Sequence, residues 1–150
     1  MAGPDGDLRR LFCEHLRSGM HWQPVETGLI SMGVPDANFC GSGVEGWVEC
    51  KQTEGYSVTL SPEQVSWLFR RHRNGGRVFV AVRRWHTGGP RKGPPVDELW
   101  LLRGQYAPDL KTLGLRWAEQ NASGVLLGRW PGGPARWAWN EVRSMLLRSK

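Results

Sequence analysis

The first regular pattern of apolar residues along the chain is helical. Its apolar positions recur at intervals of three and four residues, at Leu8, Leu11, Phe12 and Leu16. Such spacing places them on one face of a helix, which we predict over residues 5–18, ending at Gly19. Residues 21–30 follow as a predicted extended segment.

Two short stretches then alternate between apolar and polar residues as strands do. They span residues 36–40 and 47–53 and are separated by glycine-rich turn sequence, which predicts a hairpin. Successive side chains of a strand point to opposite faces. Trp47, Glu49 and Lys51 are therefore expected to share one face of the second strand.

A well-marked helix start comes next. Ser61, a following proline and Gln64 occupy the N-cap, first and third helical positions, the arrangement of a capping box. Residues 77–85 then form a continuous apolar run bounded by arginine, typical of a strand buried on both faces. A strand, a helix and a buried strand make a crossover unit, so strands 45–53 and 77–85 are expected to be parallel neighbours.

The rest of the chain is less regular. Its predicted elements are an exposed loop over 87–95, a strand from 96, a short helix over 108–115, a strand or turn over 124–130, and a last helix that Asn140 caps. Together the elements predict one α/β domain over residues 1–150, with a central mixed sheet flanked by helices. We place its core at about residues 5–104 and a Trp- and Pro-rich C-terminal extension at 105–150.

Composition changes this picture mainly through charge. The formal net charge is +6, carried by 16 arginines against four lysines. Between Gln64 and Lys92 the sequence contains eight basic residues and no acidic one. The basic residues are Arg70, Arg71, Arg73, Arg77, Arg83, Arg84, Arg91 and Lys92. Guanidinium groups match phosphate oxygens, so this run predicts a DNA-binding surface; the alternative is a solvated basic face.

Several other classes of protein are disfavoured. Nine tryptophans and a hydrophobic fraction of 39% argue against disorder. The sequence lacks an apolar run of the about 20 residues that a membrane span needs, and it does not begin with a signal peptide. We therefore expect a cytoplasmic protein without a membrane partner. Three cysteines without a C-x-x-C pair argue against a disulfide scaffold or a zinc site.

The hairpin carries the candidate chemistry. Asp36 opens its first strand and could lie beside Glu49 across it. Two carboxylates brought close repel unless a cation joins them, and Mg²⁺ takes carboxylate oxygens, waters and substrate phosphate. The main-chain carbonyl of Cys50 could add an oxygen, and Lys51 could stabilise charge on a phosphate. The alternative is that Glu49 and Lys51 form an exposed pair of little consequence.

The order of these motifs resembles that of a known family. GVPDANFC, followed by GWVECKQ and by LSPEQVSWLFRRHRNGGRVFVAVRR, is similar to the PD-(D/E)XK nuclease superfamily. Within it the sequence resembles the virus-type replication-repair nucleases and the archaeal-type Holliday junction resolvases. The resemblance covers about residues 8–85, and it implies a restriction-endonuclease-like fold with Mg²⁺ or Mn²⁺ as cofactor.

Roles follow from this resemblance position by position. It implies that Asp36 and Glu49 hold the metal and that Lys51 is the catalytic lysine. Gln64 matches a glutamine that lies close to the site in the virus-type branch, although a capping box alone would also explain it.

One further acidic residue is implied, and its position stays open. Glu26, a candidate for both metal binding and catalysis, precedes the G-x-P-D sequence, and Glu14 lies on the first helix. Glu14 could instead pair with Arg10, four residues earlier. Ser31 is a third candidate, because junction resolvases often carry a serine there.

The predicted function is metal-dependent hydrolysis of DNA. A bare metal-and-lysine site carries no readout of bases, so selectivity would come from the shape of the DNA. The resemblance to junction resolvases favours four-way junctions, and a symmetric homodimer would supply two sites for the two strands. Apolar residues of strand 96–102 and of the C-terminal half are candidates for the dimer interface. The resemblance implies a bacterial cell or a phage-infected host as the setting.

Three alternatives remain. One is a nuclease for flaps or other branched intermediates of phage replication and repair. Another is a small restriction-type endonuclease, disfavoured because the chain has no separate recognition module. A third, from a different class, is a non-catalytic DNA-binding protein of the same fold, which would have no need for Asp36, Glu49 and Lys51 together.

Overall fold

A six-stranded mixed sheet lies between two layers of helices in the computed structural model, which describes residues 4–26 and 32–148. The helices are α1 (Pro4–Leu16), α2 (Pro62–Arg73), α3 (Ala107–Gln120), α4 (Ala122–Val125) and α5 (Trp139–Leu147), with a 3₁₀ turn at Gly104–Tyr106. The strands are β1 (His21–Pro24), β2 (Ala37–Gly41), β3 (Val44–Thr53), β4 (Val78–His86), β5 (Val96–Arg103) and β6 (Leu126–Trp130). The predicted α/β class, with a central mixed sheet flanked by helices, is confirmed.

The strands lie in the sheet in the order in which they occur in the chain. Four neighbouring pairs are antiparallel, whereas β3 and β4 are parallel, with Glu49 level with Val80. Since α2 connects these two strands, the predicted crossover unit is confirmed. The predicted start of α2 is confirmed as well, because Ser61 and Gln64 form the reciprocal hydrogen bonds of a capping box.

Each face of the sheet carries a hydrophobic core of its own. On one face α1 and α5 cover the strands, and Phe12, Phe39 and Leu146 are fully buried there. On the other face α2 and α3 cover them, with Leu68 and Trp100 fully buried. The sheet is thus the middle layer of three.

The strands β4 and β5 occupy the interior of this sheet. Val80, Ala81 and Val82 of β4 are all 0% exposed, which confirms the prediction of a strand buried on both faces. Residues 99–102 of β5 are equally buried, because β4 and β6 flank the strand and helices cover its two faces. The expectation that strand 96–102 presents an apolar dimer surface is therefore wrong.

The C-terminal part of the chain packs into both cores. Trp130 of β6 and Val142 of α5 belong to the core beneath α1, whereas Leu110 and Leu115 of α3 belong to the core beneath α2. The helix α3 is longer than the predicted 108–115 segment. A kink at Gly114 turns the N–H of Leu115 towards the carbonyl oxygen of Tyr56, at 2.7 Å.

The last helix begins two residues earlier than its sequence suggests. Its N-cap is Ala138, and the Oδ1 atom of Asn140 accepts a hydrogen bond of 3.0 Å from Arg143 inside the helix. The predicted capping role of Asn140 is therefore wrong. Val142 and Leu146 are fully buried and form the inner face of this helix.

Among the residues that the structure describes, no helix is both long enough and apolar enough to cross a membrane.

Candidate active site

The β2–β3 hairpin brings Asp36 beside Glu49. Ala37 and Val48 are paired in the two strands, so Asp36 lies one step beyond that pair, level with Glu49. Its carboxylate Oδ2 accepts a hydrogen bond of 2.7 Å from the main-chain N–H of Cys50. This bond fixes the carboxylate against β3, just before β2 begins.

Glu49 is buried, with only 2% of its surface exposed. It lies on the face of β3 that α2 covers, and its level neighbour on β4 is the apolar Val80. A charged residue in such surroundings is uncommon, because an ionised carboxylate loses hydration on burial and needs compensation. The burial excludes an exposed pair of Glu49 and Lys51.

Lys51 follows on the same face of β3. Two residues of strand separate it from Glu49, a distance of about 7 Å along the backbone. It is half-buried and lies level with Val82 of β4. Its ammonium has no ion-pair partner within residues 4–26 and 32–148. A group so placed is available to an anionic ligand at the Asp36–Glu49 pair.

Gln64 forms the capping box at the start of α2. Its Oε1 accepts the N–H of Ser61 at 2.9 Å, and its own N–H donates to the Ser61 hydroxyl at 3.1 Å. The side-chain amide N–H₂ is not used by this box and remains a possible donor to a ligand. The capping box and a site role for Gln64 are thus compatible.

The loop before Asp36 is held against the same helix start. Gly33 has a φ of +87°, and a Cβ atom built on it would lie 2.3 Å from the carbonyl oxygen of Glu63. Only glycine permits so close an approach at this backbone conformation. The contact ties the G-x-P-D segment to the turn that carries Gln64.

Asp36, Glu49 and the Cys50 carbonyl form what we call the Asp36–Glu49 corner. The donor atoms of this corner fit a hard divalent cation. Asp36, Glu49 and the Cys50 carbonyl supply oxygen atoms, which Mg²⁺ prefers and to which it adds waters and substrate phosphate. Within the described part of the chain, no group of three or more His, Cys, Asp or Glu side chains is placed to hold a metal. The protein would therefore supply two carboxylates, as is common for Mg²⁺ sites that act on phosphates.

The candidates for a further acidic ligand are placed differently. Glu14 pairs with Arg10 at 3.1 Å, as its alternative interpretation predicts. Glu26 pairs with Arg9 at 3.2 Å, and 90% of its side chain is exposed. Its neighbour Val25 donates a backbone hydrogen bond to the carbonyl of Asp36, which brings Glu26 near Asp36. The Glu26 side chain nevertheless belongs to no metal-binding group among the described residues. Ser31 lies outside the described residues.

The basic run is divided between paired and exposed side chains. Arg83 forms a two-pronged ion pair with Asp97, at 2.9 and 2.8 Å, and its side chain is 13% exposed. Arg84 pairs with Glu98 at 3.4 Å and is similarly buried. Both arginines hold the β4–β5 pair together, and their guanidinium groups are occupied.

Other members of the run have aromatic or surface partners. The guanidinium of Arg71 lies 4.5 Å from the ring centroid of Trp67 and 5.5 Å from that of Trp47. Lys92 pairs with Glu54 at 2.8 Å, and this ammonium lowers the pKa of the exposed Glu54 carboxyl. The exposed members that form no ion pair within the described residues are Arg70, Arg71, Arg73 and Arg91.

A buried network beside this surface has no counterpart in the sequence-based interpretation. The carboxylate of Glu98 accepts hydrogen bonds from Arg129, Trp100 and Arg84. Burial alone would raise the pKa of Glu98, but the bonds from Arg129 and Trp100 outweigh it and lower that pKa. Arg129 lies 31 residues along the chain from Glu98, so no local pattern indicates the pair.

Comparison with known proteins finds similarity at the level of structure. No protein-family model matches the chain, and no curated protein matches it either. Its structure is similar to that of Hjc, a Holliday junction resolvase from the archaeal hyperthermophile Archaeoglobus fulgidus. The two are 18% identical with a TM-score of 0.47, over 65% of this chain and 74% of that chain.

Proposed function

We propose that the protein is a metal-dependent endonuclease that hydrolyses phosphodiester bonds in branched DNA. One observation carries the proposal: the Asp36 carboxylate is bonded to the N–H of Cys50, the residue that follows the buried Glu49, and Asp36 is level with Glu49 in the hairpin. Two carboxylates in such a corner are suited to sharing a divalent cation. The sequence resemblance to PD-(D/E)XK nucleases supports the same assignment.

Asp36, Glu49 and the Cys50 carbonyl would hold Mg²⁺ or Mn²⁺. When bound, the cation supplies positive charge that offsets the two carboxylates and polarises the phosphodiester. Lys51 would donate a hydrogen bond from Nζ to a phosphate oxygen and stabilise the charge that develops there. The Gln64 amide N–H₂ would orient the substrate while its Oε1 continues to cap α2.

The exposed arginines of α2 support nucleic acid as the substrate. Arg70 and Arg73 lie in the last turn of this helix, whose first turn carries Gln64. A DNA backbone that follows the helix would meet both the cationic end and the candidate metal corner. Contacts of this kind bind phosphate and carry no sequence information.

A four-way junction is the substrate we propose, cut by a homodimer. The groups assigned to the candidate site would contact phosphate and metal, so recognition would depend on the shape of the DNA. A junction offers two equivalent strands, and a twofold dimer offers two equivalent sites. With β5 inside the sheet, the interface would be built from other surfaces. We propose the cytoplasm of a bacterial cell or of a phage-infected host as the setting.

The deciding experiment offers purified protein four-way junction, flap, nicked and linear DNA with Mg²⁺, Mn²⁺ or EDTA. We expect junction cleavage with either metal and none with EDTA. Asp36→Asn and Glu49→Gln should bind the junction and leave it uncut. Flap cleavage with an intact junction would overturn the resolvase assignment in favour of a flap nuclease. Junction binding without cleavage under any condition would identify a non-catalytic DNA-binding protein.

A further inference from the structure

A basic cavity lies at the end of the sheet where β4 begins and β5 ends. Its volume is about 270 Å³. The lining side chains that carry charge or hydrogen-bond donors are His72, Arg77, Arg103, Gln105 and Arg148. None of the lining residues that the structure describes is acidic. Three arginines therefore line one cavity, and no carboxylate lies among the lining residues that the structure describes.

Arg77 is held in place but has a donor left over. One of its terminal nitrogens donates to the carbonyl oxygen of Leu146 at 2.9 Å. Its Nε is buried and meets no hydrogen-bond acceptor in the described part of the chain. A buried donor without an acceptor is costly, and such groups in native proteins call for an explanation such as an absent ligand.

Arg103 adds a second positive charge next to this donor. Arg103 is the strand partner of Phe79, which follows Arg77 by two residues on β4. It lines the cavity and its side chain is exposed. Burial, and then the charge of Arg103, lower the pKa of Arg77. Like charges brought together in this way are relieved by an anion between them.

We propose that this cavity binds a phosphate group of nucleic acid, at a site separate from the Asp36–Glu49 corner. Planar guanidinium groups match the geometry of phosphate oxygens and bind them with two parallel hydrogen bonds. The anion site depends on the cavity alone, whereas its assignment to a DNA phosphodiester rests on the proposed function.

The cavity lies near the candidate metal corner but on the other side of the sheet. Trp47 is level with Val78, so Arg77 lies level with the residue before Trp47, three strand residues or about 10 Å from Glu49. The Arg77 guanidinium donates to Leu146 of α5, whereas Glu49 faces α2. DNA bound at the metal corner would therefore reach the cavity by passing around the end of the sheet.

The first test uses inorganic phosphate, followed by the Nε–Hε NMR signals of the arginines. We expect saturable shifts of the Arg77 and Arg103 signals and none for Arg17, an exposed arginine outside the cavity. Arg103→Gln should weaken phosphate binding about tenfold or more, and Arg17→Gln should not change it. Uniform weak shifts of all arginines, or equal affinity in Arg103→Gln, would overturn the site.

The second test measures junction binding over a range of salt concentrations. Each phosphate contact contributes about 0.9 to the slope of log K against log salt. Arg103→Gln should lower that slope by about one contact, whereas Arg17→Gln should leave it unchanged. An unchanged slope in Arg103→Gln would overturn the assignment to DNA phosphate. Cleavage is read separately: wild-type protein that binds phosphate here but cuts no DNA would refute the proposed function and leave the anion site standing.

Discussion

The carboxylate of Asp36, one residue before the start of β2, accepts the main-chain N–H of Cys50 at 2.7 Å. This bond allows the structural role of Asp36 to be separated from its proposed metal-binding role. Asp36→Ala removes the acceptor and should lower the free energy of unfolding by about 1–3 kcal/mol. Asp36→Asn keeps an acceptor oxygen and should cost less. Both remove the negative charge, so both should abolish junction cleavage.

Urea unfolding and a cleavage assay with Mg²⁺ measure the two effects on the same preparations. Asp109→Asn, in the first turn of α3, is the matched control: it should cost at most about 1 kcal/mol and leave cleavage unchanged. If Asp36→Asn cut DNA at the wild-type rate, Asp36 would be a structural residue only.

Lys51 is predicted to act on the rate and not on the fold. Lys51→Gln removes the cation beside Glu49 and should lower the cleavage rate about 10²–10³-fold, the usual effect of losing one group that stabilises transition-state charge. Single-turnover cleavage with protein in excess isolates this step from binding. Lys111→Gln is the control, because Lys111 donates to the carbonyl of Leu60 and lies outside the site. Equal rates for Lys51→Gln and Lys111→Gln would remove Lys51 from the mechanism.

Gly33 is predicted to be essential to the position of the loop that carries Asp36. A methyl group at Gly33 would meet the Glu63 carbonyl oxygen at 2.3 Å, whereas at Gly43, which has a similar φ of +76°, it would meet nothing within 4 Å. Gly43→Ala should therefore show the backbone strain alone, about 1–2 kcal/mol. Gly33→Ala should cost clearly more and should also slow cleavage. Thermal unfolding of the two variants compares them directly, and equal losses of stability would contradict the close contact.

Arg70 and Arg83 are predicted to have opposite roles. Arg70 is exposed at the end of α2, so Arg70→Gln should lower the salt-dependence slope of DNA binding by about 0.9 and leave stability unchanged. Arg83 is held by Asp97, so Arg83→Gln should lower stability, with a smaller effect on the slope. Fluorescence anisotropy and urea unfolding on both variants test this. The reverse pattern would mean that the Arg83–Asp97 pair opens to bind DNA.

Glu98 is predicted to make the free energy of unfolding depend on pH. Its pKa is lowered in the folded protein, so its contribution is present above the unfolded-state pKa of about 4.3 and is lost as the pH falls through the folded-state value. Glu98→Gln should cost about 1–3 kcal/mol at neutral pH, and the difference from wild type should shrink in acid. Urea unfolding from about pH 3 to pH 7 measures it. Glu119→Gln, at the exposed end of the Arg129 pair, should show little change. A difference that did not vary with pH would contradict the role of the charge.

Local patterns predict those parts of the fold that depend on neighbours in the chain. Ser61 and Gln64 mark the start of α2 because a capping box involves only four consecutive residues. The apolar run of β4 identifies a central strand because burial on both faces needs no alternation. The same reasoning fails at Asn140, where a partner at Arg143 competes for the side-chain oxygen.

Other features depend on contacts that no local pattern contains. The burial of β5 requires β6 at its side, and β6 comes from a segment that predicts a strand or a turn equally well. The pairing of Arg83 with Asp97 follows from the register of β4 and β5, which sets Trp85 opposite Asp97. The run of basic residues in the sequence therefore does not show which side chains hold strands together and which are available to DNA.

The single parallel pairing in this sheet has a consequence for how the protein is made. Trp47 and Val78 are level neighbours although about thirty residues separate them in the chain. A nascent chain that has emerged only as far as α2 carries Asp36, Glu49 and Lys51, yet it lacks the strand against which Glu49 is buried. The two carboxylates can reach their final surroundings only after β4 has been synthesised and docked. During translation, the proposed cutting activity would therefore stay switched off until the crossover closes.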